Sequence, residues 1–278
     1  MATPVKHPEY QNNPFTIATD GISLLFNRAK PIAIVALVLV GLGLIGGAPS
    51  GFTGEYNDSM SISHPDAMAY KLHSVPVEVW IIVGIIALVI MLGFIVIGTF
   101  IAGIFDYTAA RLADNKSVTL GEALKAVAAR FFSYLWLQIV VAIKILLWSL
   151  LLIVPGIIMA TRYSLSGPSF FRHQLGANAA TKHSAAITKG AWLTTFGSFG
   201  LFNIITFGLI QAILQPGTSG LLQRQFDAYY SAKLTKPPAH ALSWLTLGLV
   251  IGLFLLAIVV IVLIGLLVTY GFSEGHRL

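Results

Sequence analysis

The chain has 278 residues, of which 56% are hydrophobic and 10% charged, with a formal net charge of +6 and no cysteine. A soluble domain averages about 25% charged residues, so most of this chain is built to be solvated by lipid. Lys and Arg sit in short segments between apolar runs rather than on one water-facing surface, which excludes nucleic acid as a partner. The lack of cysteine excludes disulfides, thiol nucleophiles and thiolate metal sites.

Met1 to Arg28 is too polar for a cleaved signal peptide. Overlapping its end, Phe15 to Lys30 has the spacing of an amphipathic helix, with Ile17, Ile22, Leu25 and Phe26 on one face, suited to lie along a membrane interface. Pro31 to Ala48 is the first apolar segment, followed by an acidic loop from Pro49 to Pro76 that carries Glu55, Asp58 and Asp66 against Lys71 alone. The longest apolar run extends from Val79 through Phe105. About 20 such residues let a helix cross the hydrocarbon, so this segment is a transmembrane helix with length to spare.

Val118 to Arg130 forms a second interfacial helix, and Thr119 with Glu122 three residues later has the pattern of a capping box. Phe131 to Val154 and Gly156 to Phe171 are further spans, with Pro155-Gly156 as the tight turn between them and Gly167-Pro168 kinking or ending the second. Ala177 to Lys189 is the third amphipathic segment. Trp192 to Leu214 and Trp244 to Tyr270 complete the apolar segments. Glycine pairs four apart, Gly43 with Gly47 and Gly248 with Gly252, allow close backbone approach inside the protein or between copies of it.

The basic residues set the topology. Lys6, Arg28 and Lys30, then Arg111, Lys116, Lys125 and Arg130, then Arg172, Lys182 and Lys189 fall on one side, which the positive-inside rule makes cytoplasmic, with the N-terminus. Arg224, Lys233 and Lys236 join them if Thr188 to Leu234 folds back as two helices turning near Phe202 to Thr206. The reading is an all-α, polytopic transmembrane bundle with interfacial helices, of seven spans in preference to six, in a bacterial plasma membrane. Residues 1–30 are the N-terminal segment, 31–234 the bundle, and 235–278 an additional helix and tail. Similarity between Ala123–Ala129 and Ala180–Ala186, and between Phe105-Asp106 and Phe226-Asp227, points to a repeated unit of interfacial helix and hairpin.

Lys144 is the sharpest anomaly, a cation near the middle of an apolar helix, and Arg162 follows it across the Pro155 turn. No carboxylate is expected at matching depth, so the two are candidates for binding an anion or a lipid headgroup on adjacent antiparallel helices. The bland alternative is that Lys144 snorkels or is satisfied inside the bundle. No histidines have metal-ligand spacing; His173 and His183, ten residues apart, are a weak signal, so neither metal nor cofactor is expected. Ser164, Ser166 and Ser169 lack the surroundings of a nucleophile, so no catalytic residue is assigned and the chain does not read as an enzyme.

The stretch Leu151 to Ser166, with Pro155-Gly156-Ile157 and Arg162-Tyr163, followed by Ala179 to Lys189 and Trp192, resembles an uncharacterised family of bacterial polytopic proteins, YciC-like, related to the membrane domain of some glycerophosphoryl diester phosphodiesterases. The resemblance covers about Asn13 to Leu234 and implies a helical membrane fold with no assigned activity. The chain carries no phosphodiesterase domain, which removes any inherited hydrolysis. Two functions follow as expectations: a non-enzymatic scaffold, regulator or membrane-organising protein, and alternatively a transporter or lipid-handling protein using Lys144 and Arg162. Expected partners are the bilayer, its anionic lipids, and a second copy or another membrane protein.

Overall fold

The computed structural model describes residues 10–47 and 76–275, and every regular element in them is a helix. In chain order these are α1 (Pro14–Arg28), α2 (Lys30–Gly47), α3 (Val77–Ala113), α4 (Leu120–Ala129), α5 (Phe131–Leu151), α6 (Ile153–Tyr163), α7 (Ser166–Arg172), α8 (Ala177–Ile187), α9 (Trp192–Thr206), α10 (Gln211–Ser231) and α11 (Ala241–Gly275). The charged part of the expected acidic loop, Glu55 to Lys71, lies outside the described residues.

Local signals set most helix starts. Asn13 accepts from the Phe15 N–H at the head of α1, and Thr119 with Glu122 makes both halves of the capping box at α4. The prolines act differently from expectation. Pro155 and Gly167-Pro168 sit in the first turns of α6 and α7, where a missing N–H leaves no intrahelical bond unmade. The breaks come three residues earlier, at Leu152, whose backbone is extended, and at Leu165. The reversal expected near Phe202 to Thr206 comes directly after Thr206, where Phe207 (φ 51°) and Gly208 (φ 79°) turn the chain into α10.

Seven spans are not supported. Among the described residues, three helices are long and apolar enough to cross a membrane, Val77–Ala113, Phe131–Leu151 and Ala241–Leu266, and α1 with α2 makes a fourth only if that pair, bent by 119°, is one broken span. The shortfall has a physical cause. Gly156 to Phe171 is split between α6 and α7, of 11 and 7 residues, and α9 has 15. At 1.5 Å per residue these reach roughly 16, 10 and 22 Å against a hydrocarbon core of about 30 Å. Helix α10 has 21 residues but carries Gln211, Gln215, Gln223, Arg224, Gln225 and Asp227, a composition suited to a protein interior with polar partners.

That helix is the axis of a closed bundle, packed against α1, α2, α3, α7, α8 and α9. Its crossing with α1 is so close that a methyl group on Gly217 would collide with the Gly21 carbonyl, and Gly220 lies against the Ala109 carbonyl in the same way. Around it, Leu25, Ile32, Phe105, Leu112, Tyr134, Leu137 and Phe170 form the main core. The glycines expected to make close contacts do not all do so: a Cβ on Gly248 or Gly252 would meet nothing within 4 Å. Helix α11 is instead seated by Ser243 against Gly197 and Thr246 against Gly200 of α9.

Two of the three amphipathic segments are packed into the bundle. Helix α1 buries Ile17, Ala18, Gly21 and Leu25, and α8 buries Ala180, Thr181, Ser184 and Ile187 among α5, α6, α7 and α10. Helix α4 buries Ala123 and Val127 and leaves Leu124 and Lys125 outside. The backbone repeats itself three times, as a short helix followed by two helical arms: α1-α2-α3, α4-α5-α6/α7 and α8-α9-α10. Each unit ends in the same cap. Asn115, Gln174 and Lys233 take positive φ (60°, 52° and 53°), and the N–H of the next residue bonds the carbonyl five back, Lys116 to Arg111, Leu175 to Phe170 and Leu234 to Tyr229. Aligned on these caps, Asp106 corresponds to Arg224, one turn away from the Asp106–Asp227 pairing expected from sequence.

Beyond the bundle stand two bare rods. Every residue of α3 from Val77 to Gly98 is exposed, roughly 33 Å of helix at 1.5 Å per residue. The α9–α10 turn reaches only the level where this rod begins, since Phe207, Gly208 and Leu209 line one cavity with Gly98 and Ile101. Helix α11 runs parallel to α9 and is fully exposed from Ile251 to Leu266.

Candidate functional site

Lys144 and Arg162 lie on α5 and α6, which pack as a hairpin about Leu152, and both are half-buried. Each cation reaches α8. Lys144 Nζ donates to Thr181 Oγ1 (2.6 Å), stands 3.5 Å from Asn178 Oδ1, and lies 5.7 Å from the centre of the Tyr163 ring. Arg162 donates to the Ala185 carbonyl (2.9 Å), and its own carbonyl accepts from the hydroxyls of Ser184 (2.7 Å) and Thr188 (3.2 Å). Thr181 and Ala185 are one helical turn apart, so the two cations clamp one edge of α8 onto the hairpin. Lys144 therefore has a polar helix beside it rather than bare hydrocarbon, which is why it needs no carboxylate.

Between α3, α5, α6, α7 and α10 lies a cavity of about 210 Å³ bounded by Asp106, Gln138, Tyr163, Ser164, Ser166 and Gln215. Asp106 accepts from the Tyr134 hydroxyl (2.6 Å), and Gln138 donates to the same hydroxyl. The titratable group on this cavity is an acid, so it does not suit a phosphate. A larger groove of about 520 Å³ runs between α1 and α10, lined by Gln11, Asp20, Arg224 and Gln225.

Sequence reasoning missed a third constellation, at the end of the bundle where α3, α7 and α10 terminate. Arg172 bridges two carboxylates, Asp114 at 2.9 Å and Asp227 at 2.6 Å. His173 Nε2 lies 3.1 Å from Asp227 Oδ2 and His183 Nε2 3.5 Å from Asp227 Oδ1, with the two imidazoles 4.6 Å apart. Burial pushes the His183 imidazole below its ordinary value, a shift that the Asp227 carboxylate opposes. The ligand atoms of His173, His183 and Asp227 all lie within 4.8 Å of one another, so these residues could hold a metal ion. The only sequence signal was the pair of histidines; their acid arrives from a helix more than forty residues further along the chain.

No protein-family model, characterised protein or solved structure matches the chain.

Proposed function

We propose that the protein is a multi-pass integral membrane protein of a bacterial plasma membrane, N-terminus cytoplasmic, that acts as a non-enzymatic scaffold or membrane-organising partner. The observation that carries this reading is the division of the molecule into a packed helical bundle and two bare apolar rods, Val77 to Gly98 and Ile251 to Leu266. Such surfaces are stable against lipid and not against water. The local satisfaction of Lys144 by Thr181 supports the scaffold over a transporter, which needs a hydrated path to that cation. Anionic headgroups and a second copy or another membrane protein are the partners this reading carries, and the likeness to the YciC-like family belongs to the same proposal.

One observation favours the second reading, a lipid-handling protein with an anion site. Arg162 Nε is buried without a hydrogen-bond partner, and a phosphate oxygen would satisfy it. Binding of inorganic phosphate and of phosphatidic acid in nanodiscs separates the two. The scaffold reading expects no saturable binding that Lys144→Met or Arg162→Gln alters. Saturable binding abolished by Lys144→Met and weakened by Arg162→Gln overturns it in favour of lipid handling.

A further inference from the structure

We propose that His173, His183 and Asp227 form a binding site for a divalent transition-metal ion of the zinc class, joining α7, α8 and α10. The inference goes beyond the scaffold reading and stands or falls separately from it. It starts from hydrogen-bond directions, which the network fixes one after another. Asp227 Oδ2 accepts from Arg172 (2.6 Å) and lies 2.8 Å from Gln223 Nε2. A carboxylate only accepts, so Gln223 must present its amide nitrogen there and its carbonyl oxygen to Ser169 Oγ, 3.2 Å away. The Ser169 hydroxyl hydrogen is committed to that oxygen. Ser169 therefore accepts from His183 Nδ1–H, at 3.1 Å.

This assigns the His183 tautomer. In the neutral imidazole the hydrogen on Nδ1 leaves the lone pair on Nε2, and Nε2 faces Asp227 Oδ1 at 3.5 Å. That oxygen is itself buried without a hydrogen-bond partner. Two lone-pair atoms confronting each other across this gap call for a cation between them. His173 Nε2 donates to the other oxygen of the same carboxylate at 3.1 Å, and release of that proton on metal binding frees it as a third ligand atom. Zinc bonds of 2.0–2.1 Å in tetrahedral geometry separate neighbouring ligand atoms by about 3.3 Å, close to the 3.5 Å between His183 Nε2 and Asp227 Oδ1.

The surroundings have the form of an outer ligand shell. Ser169 orients His183 through Nδ1, while Arg172 and Gln223 hold the second carboxylate oxygen and aim the first. Arg172 and Lys116 balance Asp227 and Asp114, so the cluster carries no net charge to repel a cation. The side chains of His173 and His183 are 37% and 23% exposed, which leaves an entry path and room for water as the fourth ligand.

The test uses the full chain in nanodiscs after treatment with a chelator, titrated with Zn²⁺ alone and, for spectroscopy, with Co²⁺. The expected result is saturable binding of one equivalent, tetrahedral Co²⁺ absorption bands and a raised melting temperature. His183→Gln and His173→Gln should each weaken binding by about 100-fold or more, and Ser169→Ala, which touches no metal, by about 10- to 100-fold. If a histidine variant fails to fold, Ser169→Ala and the Co²⁺ spectrum of the native chain decide. No saturable binding, binding unchanged in the folded variants, or octahedral Co²⁺ spectra overturn the site, as does nitrogen NMR at pH 7 showing His183 doubly protonated in the presence of Zn²⁺.

Discussion

Tyr10 shows how burial at one residue turns into a pH dependence of the whole fold. Its ring lies 6.2 Å from Phe226 and 4.9 Å from Tyr229, and burial pushes its hydroxyl up to about 12 from an ordinary 10.0. The folded state thus holds the proton more tightly than the unfolded one. The associated stability is complete below pH 10 and is lost as pH rises through 12, a change of roughly 2 to 3 kcal/mol. Thermal melting of the native chain should therefore fall between pH 10 and 12 more steeply than that of Tyr10→Phe; parallel curves would contradict it. Lys144 gives the complementary case. Thr181 Oγ1 also donates to the Asn178 carbonyl at 3.0 Å, so removing the ammonium leaves no orphan. Lys144→Met should change stability by no more than about 1 kcal/mol in denaturant titration, because the bond lost is partly repaid by burying an apolar side chain in place of a charge.

At the scale of helices, what could be read in advance was what short stretches determine. Thr119 and Glu122 cap α4 because both partners lie within one turn, and the fold-back after Thr206 was marked by where Arg224, Lys233 and Lys236 had to return. The break positions were misread because a proline is tolerated in the first turn of a helix, so Pro155 and Pro168 mark beginnings rather than turns. Glycine spacing did not pick out the contacts within the chain. Gly248 and Gly252 have the small-residue spacing yet face open space within the chain, while Gly21 and Gly217, far apart in sequence, meet where α1 crosses α10. Substitution separates the two: Gly217→Ala should destabilise by about 1–3 kcal/mol through overpacking, whereas Gly248→Ala should be neutral or stabilising by up to about 1 kcal/mol through helix propensity. Chemical denaturation of the purified variants reads both. The Asp227 cluster was illegible for a different reason, since its three members come from α7, α8 and α10 and only tertiary packing brings them together.

Over the whole molecule, the helical units pack around α10 while α3 and α11 extend past the bundle, and the account rests on those extensions being the parts that meet lipid. The proposed topology puts the basic residues Arg111, Lys116, Lys125 and Arg130 in the cytoplasm. Reporter fusions after Asp58 and after Asn115 should accordingly score external and cytoplasmic, and the same side for both would reverse the topology. The most direct measurement is a depth profile along α3 by spin labels on single introduced cysteines, which the cysteine-free chain permits without background. Labels placed successively from Val77 to Gly98 should show oxygen accessibility rising to a maximum near Leu88 and falling toward Gly98, with a label at Lys116 open to a water-soluble nickel reagent. Nickel accessibility throughout Ile85 to Ile95, or immobilisation of every label in that stretch by protein contacts, would contradict a lipid-crossing rod and the membrane architecture built on it.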